Sequence, residues 1–184
     1  MTKGLFPDDV MPAASSLPSY TYTKFAQGRE SNISGQFVES CIIQLAEQRG
    51  YKICNNQRSM SIQGDLLMQD ERLLMKNVGY KDLIGKKAYT EFLILAYGRK
   101  IRIDCKGQNI AGSTYQKVGW MYLDAVNAMP EKEIIYVVHG SDKTWRRAYR
   151  WLREECRHLR KKIILVLTLE EYQIWFKHFD EGKK

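Results

Sequence analysis

The chain has 184 residues, of which 44% are hydrophobic and 11% aromatic, enough apolar surface for one folded domain and too much for disorder throughout. Its 29 Lys and Arg against 21 Asp and Glu give a formal net charge of +8, which favours acidic partners, nucleic acid before membrane, and says nothing about fold. No apolar run approaches the roughly 20 residues of a membrane span and no N-terminal segment has the form of a secretory signal, so the expectation is an intracellular, cytoplasmic protein with no membrane partner.

Residues 1–30 hold three of the four prolines, Pro7, Pro12 and Pro18, without sustained periodicity, and are expected to form a flexible tail. An α/β domain is expected over 31–180, with a charged tail at 181–184. In SGQFVESCIIQLAEQRG, Ser34 suits a helix N-cap and Gly50 stands where a C-terminal cap belongs. YKICNNQ reads as a short strand, whereas GDLLMQDERLLMKNVG reads equally as a helix or as an excursion between strands. TEFLILAY and KIRIDCK are two strands joined at Gly98 and Arg99 as a hairpin. Ser113 with Gln116 forms a capping box that opens a helix to position 129. EIIYVV and KIILVL have the continuous apolar character of strands buried on both faces, and a helix over 141–160 links them as a βαβ crossover. Thr168 with Glu171 caps a last helix. That order implies a mixed sheet flanked by helices. The four cysteines, Cys41, Cys54, Cys105 and Cys156, include no C-x-x-C pair, so reduced, packed thiols are expected and a zinc framework is not.

Three acids and a lysine carry the chemical interest. Glu39 shares a helical stripe with Ile42, Ile43 and Ala46, which puts a carboxylate beside the inward face, where it is either solvated at the stripe's edge, paired with an arginine, or functional. Glu91 stands at the mouth of a strongly apolar strand; strand alternation groups it with Leu93, Leu95 and Tyr97, and groups Thr90 with Phe92, Ile94 and Ala96. The hairpin brings Glu91 near Asp104. Two converging carboxylates repel, and a hard divalent cation such as Mg²⁺, which takes oxygen ligands and retains waters, relieves that repulsion. Lys106, two residues after Asp104, lies on the same side of the strand and can position a water or neutralise charge on a phosphorane. The tripeptide alone is a weak signal, since Glu181-Gly-Lys183 repeats it in the charged tail and a solvated face continued by Lys100 and Arg102 is the better account of it taken by itself.

TWRRAYRWLREECRHLRKK carries two stripes at helical spacing. Trp145, Leu152, Cys156 and Leu159 form a packing stripe. Arg146, Arg150, Arg153, Arg157 and Arg160 form a basic one, either a solvated face partly neutralised by Glu154 and Glu155 or a track for a phosphate backbone.

These residues resemble the PD-(D/E)xK nuclease superfamily, whose pattern is a glutamate on the first helix, an acid on the second core strand, and (D/E)xK on the third, often followed by a glutamine and a capped helix. Glu39, Glu91, Asp104, Lys106 and Gln108 fill those positions, and the likeness covers roughly 34–167. GSTYQK is similar to the G-S-x-x-x-K stretch of some bacterial and phage members, which implies a phosphate or active-site contact for Lys117 and a nucleic-acid contact for Ser113. There are departures: Glu91 replaces the usual aspartate, Thr90 precedes it where the family has proline, Pro7-Asp8 is a decoy in the tail, and Asp82 is a rival for the metal-binding acid.

The resemblance implies a three-layer restriction-endonuclease-like α/β fold, a central mixed β-sheet flanked by helices. It implies a Mg²⁺-dependent DNA endonuclease, with Mn²⁺ able to substitute and no small-molecule cofactor, leaving 5′-phosphate and 3′-hydroxyl ends. Glu91, Asp104 and the Cys105 carbonyl would bind the metal, Glu39 a second metal or a water, and Lys106 would orient the attacking water. Cutting both strands with one site per chain would call for a homodimer. The competing expectation is a catalytically silent nucleic-acid-binding or assembly protein of the same fold, and a third is an RNA-directed member.

Overall fold

A computed structural model of the protein describes residues 30–55, 72–107, 117–140 and 143–181, with side chains from residue 36 onward; the tail expected over 1–30 lies outside the described residues save for its last position. Six strands make one sheet in sequence order: β1 (Lys52–Asn55), β2 (Leu73–Lys81), β3 (Lys87–Ala96), β4 (Arg99–Gly107), β5 (Glu133–His139) and β6 (Ile163–Thr168). Pairing is antiparallel between β2, β3 and β4 and parallel at β1–β2, β4–β5 and β5–β6, so the sheet is mixed. Helices α1 (Glu30–Gln48) and α4 (Leu169–Glu181) pack on one face, and α2 (Val118–Asn127) and α3 (Lys143–Arg157) on the other. This is the three-layer α/β fold expected.

The layers follow from the strand patterns. In β5, Ile135 and Val137 enter the core under α1 and α4, while Ile134, Tyr136 and Val138 enter the one under α2 and α3. A strand buried on both faces must be apolar throughout, which is why EIIYVV shows no polar alternation. Ile42, Phe92 and Phe176 are almost wholly inaccessible, and burying each such side chain contributes roughly 2 kcal/mol. The last helix opens with a reciprocal capping box: the Glu171 amide donates to Thr168 Oγ1 at 3.2 Å and the Thr168 amide donates to Glu171 Oε2 at 2.7 Å.

Several boundaries differ from the expectations, each for a physical reason. Helix α1 starts at Glu30, so Ser34 is an interior residue rather than its N-cap; the four residues before Ser34 contain no breaker. Gly50, at φ +76°, does end the helix. The Gly50 amide donates to the Glu47 carbonyl and the Tyr51 amide to the Ala46 carbonyl, both at 2.9 Å, a Schellman cap. The hairpin turn is Tyr97-Gly98, one residue earlier than Gly98-Arg99, with φ values of 55° and 71° as a two-residue type I′ turn requires. Helix α2 ends at Asn127 rather than at 129 and α3 at Arg157 rather than at 160, while Ser113, Gln116 and residues 141–142, where their starts were expected, lie outside the described residues.

The ambiguous LLMKNVG stretch is strand β2. Its period is hidden because Leu73 and Met75 share a cluster with Leu93 and Leu95, yet the next residue in that cluster is Val78, three positions on. Asn77, at φ 53°, resets the alternation between them.

Candidate active site

The sheet forks where the acids meet. The β3–β4 ladder runs from Ala96↔Arg99 to Phe92↔Ile103 and ends there. Beyond that point β3 pairs only with β2, from Thr90↔Val78 to Lys87↔Lys81, while β4 continues along β5, from Asp104↔Tyr136 to Gly107↔His139. Glu91 and Asp104 are the first residues of the two prongs. Glu91 is also missing from the β2–β3 register, at the position facing Asn77. Asparagine is one of the few residues that tolerate left-handed backbone, and the resulting kink turns Thr90 toward Arg102 rather than leaving it in alternation with Phe92. The buried Arg102 guanidinium donates from Nη1 to Thr90 Oγ1 at 2.8 Å and to the Val78 carbonyl at 2.9 Å, and closes a bidentate pair with Glu131.

Freed from the ladder, the Cys105 amide donates to Glu91 Oε2 at 2.8 Å, so the Glu91 carboxylate fills the gap between the strands. Asp104, only 4% exposed, accepts a hydrogen bond from Lys106 Nζ at 2.6 Å. Burial raises the Asp104 carboxyl, the Lys106 ammonium pulls it back, the Glu91 charge raises it further, and it settles at about 8. Burial lowers Lys106, but the Asp104 and Glu91 carboxylates outweigh that and hold its ammonium above the usual lysine range. At neutral pH, therefore, Lys106 is a charged donor rather than a base. The buried Cys105 thiol is pushed well up, by burial first and then by Glu91, Asp104 and Glu39. Glu39 thus stands within electrostatic reach of the fork from the α1 side.

This donor set can hold a divalent cation. Two carboxylates in a buried notch, one of them driven toward protonation partly by the other, offer hard oxygen ligands, as the Cys105 carbonyl does; such a set suits Mg²⁺ or Mn²⁺ better than a soft metal. Among the described residues no three Asp, Glu, His or Cys side chains gather around one point, so Glu39 does not complete a side-chain cage with the pair.

The other expected residues are dispersed. Gln108 and Ser113 lie outside the described residues. Lys117 is exposed at the N-cap of α2, without a side-chain bond to the cap. Asp82, the rival acid, is the turn residue between β2 and β3, where Oδ1 accepts from the Ile84 amide at 3.1 Å and the Lys86 amide at 2.7 Å. On α3 and just past it, Arg146, Arg150, Arg157 and Arg160 are exposed. Arg153 instead turns inward, donating to the Val166 carbonyl at 2.8 Å and forking onto Glu171 at 2.6 and 3.1 Å. Two residues gain interest only from the structure. The Tyr80 hydroxyl donates to Asp124, and its ring lies 5.1 Å from the Arg102 guanidinium. His139, across from Gly107, packs on Phe37 at 5.8 Å between centroids and lines a cavity of about 310 Å³ with Arg146, Tyr149 and Glu170. A histidine ending an apolar parallel strand just before Gly140 was the available signal for it.

A forked mixed sheet between two helical layers, with an acid pair and a lysine at the fork, places the protein among the restriction-endonuclease-like folds. The PD-(D/E)XK nuclease superfamily domain matches the chain over residues 30–179, which span all six strands and nearly all of the four helices, and the chain belongs to that superfamily. Neither the curated proteins nor the solved structures contain a match to it.

Proposed function

We propose that the protein is a Mg²⁺-dependent DNA endonuclease, Mn²⁺ being able to substitute. The observation that carries this reading is the fork itself: Glu91 and Asp104 converge in a notch where Lys106 Nζ lies 2.6 Å from Asp104. A cation held by Glu91, Asp104 and the Cys105 carbonyl would act as a Lewis acid on a phosphodiester oxygen. Around it, the chain's own groups have distinct tasks. The Lys106 ammonium donates to the attacking water and orients it toward phosphorus. Glu39, across the sheet from Asp104, accepts from a second water. Water adds to phosphorus and gives up a proton to solvent, the bond to the 3′ oxygen breaks and that oxygen takes a proton from a solvent water, and the products are a 5′-phosphate and a 3′-hydroxyl. Gln108 and Lys117 would contact the substrate phosphates. Arg146 follows the carboxyl end of β5, and Arg150, Arg157 and Arg160 run from there along α3 and just past it toward the amino end of β6; together they would follow the backbone, with Ser113 contributing from the segment before α2.

The four free cysteines and the absence of any described helix long and apolar enough to cross a membrane are compatible with work inside the cell. Cutting both strands of a duplex would use two copies of the chain.

The test is incubation of the full chain with supercoiled plasmid, linear duplex, single-stranded DNA, single-stranded RNA and a four-way junction, in Mg²⁺, Mn²⁺ or chelator. Metal-dependent cutting of DNA, lost in Asp104→Asn and in Lys106→Ala, is expected. Salt-sensitive binding without cutting in either metal would replace this reading with that of a silent nucleic-acid-binding protein, and cutting of RNA alone would redirect it.

A further inference from the structure

Past the fork, residues 78–81 and 87–90 form a two-stranded ribbon closed by the turn at 82–86. β1 pairs with β2 only as far as Lys76, and β4 has already left β3, so among the described residues both edges of the ribbon are open. One face is braced against the domain. Asp124 of α2 accepts from the Tyr80 hydroxyl and, at 2.9 Å, from the Leu83 amide, while Arg102 holds Thr90 and Val78.

The opposite face is basic. Lys81 and Lys87 are cross-strand partners and both exposed, a like-charge pairing that a sheet disfavours unless an anion lies over it. Tyr89, 53% exposed, sits beside them with Lys87 Nζ 5.2 Å from its ring centre. Its cross-strand partner is Gly79, where even an added Cβ would meet the ring only at an ordinary contact distance of 3.4 Å. At the tip, Asp82 satisfies the amides of Ile84 and Lys86, and Gly85 adopts φ +80°. The ordered turn presents Lys86 and holds Ile84 out at 62% exposure.

We infer that this ribbon is a groove-reading arm. It enters a groove of duplex DNA beside the scissile phosphate, with Lys81, Lys86 and Lys87 on the phosphates and Tyr89 and Ile84 against the bases. A two-stranded ribbon fits the roughly 12 Å major groove. Lys87 is four residues from Glu91, about 14 Å at about 3.4 Å per strand residue, so the contacts fall about four base steps from the cut. The lysines also oppose pairing of the ribbon with a second copy of itself. The inference rests on the DNA-nuclease reading and names the substrate contact that the acid pair lacks.

The test compares the full chain with a Lys81→Gln/Lys86→Gln/Lys87→Gln variant and with Ile84→Ser. Duplex affinity is measured in chelator from 50 to 200 mM salt, together with footprinting and sedimentation. The triple variant is expected to lower the salt slope by two to three, since each phosphate contact contributes about 0.9. Ile84→Ser, at the tip beyond Lys87, is expected to shrink protection farther than about four base pairs from the cut while leaving the slope intact. An unchanged slope and footprint in a wild type that binds and cuts DNA would overturn the arm alone. A wild type that neither binds nor cuts DNA would overturn both readings. Conversion of a dimer to a monomer with unchanged DNA affinity would make the ribbon a contact between copies and overturn the arm.

Discussion

Asp104 and Asp180 are buried alike, 4% and 3% exposed, at opposite ends of the sheet, and their surroundings drive them in opposite directions. Burial pushes the Asp180 carboxyl up, but hydrogen bonds from Tyr97 and Arg72 and the Arg72 and Arg49 charges more than reverse this and hold it below the usual carboxylate range. Tyr97 donates at 2.6 Å and Arg72 at 3.1 Å, with Arg49 at 3.5 Å, tying the end of α4 to α1, to the residue before β2 and to the β3–β4 turn. Asp104 has one ammonium and a second carboxylate for company, and its carboxyl is raised to about 8. A buried acid surrounded by donors belongs to the fold. One held beside another acid is destabilised, and perturbed carboxylates of that kind concentrate at functional sites.

The largest separation between the two acids is expected in activity. Asp104→Asn should reduce metal-dependent cutting by about 10³-fold, the order lost when a charge-stabilising group is removed from a transition state, and should leave the melting temperature in chelator equal or higher. Asp180→Asn should do the reverse. It leaves two arginines, each still about a third exposed and able to reach water, so the stability loss should be about 2 kcal/mol and the melting temperature should fall by about 4–8 °C, with cutting per folded molecule retained. Plasmid relaxation and thermal melts on both variants check the pair, and equal activity losses would erase the contrast.

pH sharpens it. Without metal, the contribution of Asp104 to stability is full below the ordinary carboxylate range and is lost as pH rises through about 8. Asp180 contributes above the ordinary range, and that contribution is lost as pH falls through its lowered value. Melting curves in chelator should therefore lose their decline between about pH 4 and about pH 8 in Asp104→Asn and part of their acid decline in Asp180→Asn. An unaltered decline between the ordinary carboxylate range and about pH 8 in Asp104→Asn would mean that the acid pair is not strained.

The smallest expected effect repeats the contrast on α3. Arg150→Gln should leave stability unchanged and lower the salt slope of DNA binding by about 1. Arg153→Gln, which loses Glu171 and the Val166 carbonyl, should destabilise by about 1 kcal/mol and leave the slope unaltered. The same binding titrations and melts decide it.

The difference between the two ends also marks what could be read from residues alone. The apolar runs of β5 and β6, the hairpin with its acid and lysine, and the Thr168–Glu171 cap were legible because each is local and periodic. The fork was not: alternation shows which face a residue takes but not where a ladder ends, and Asn77 silently shifts the phase opposite Glu91. The Asp180 cluster, gathered from positions 49, 72, 97 and 180, has no local signature at all. Arg153 shared the spacing of its neighbours, and only the adjacency of α4 turned it inward.

Calorimetric titration of Mn²⁺ into wild type, Asp104→Asn and Asp180→Asn at several pH values tests the central claim most directly. Wild type and Asp180→Asn should bind alike, releasing about one proton per ion below about pH 8, so that affinity rises about tenfold per pH unit. Asp104→Asn should bind at least about 100-fold more weakly, at or beyond what the loss of even an outer-shell partner costs. Wild-type affinity in Asp104→Asn, or binding without proton release, would contradict the assignment of the fork as the metal site.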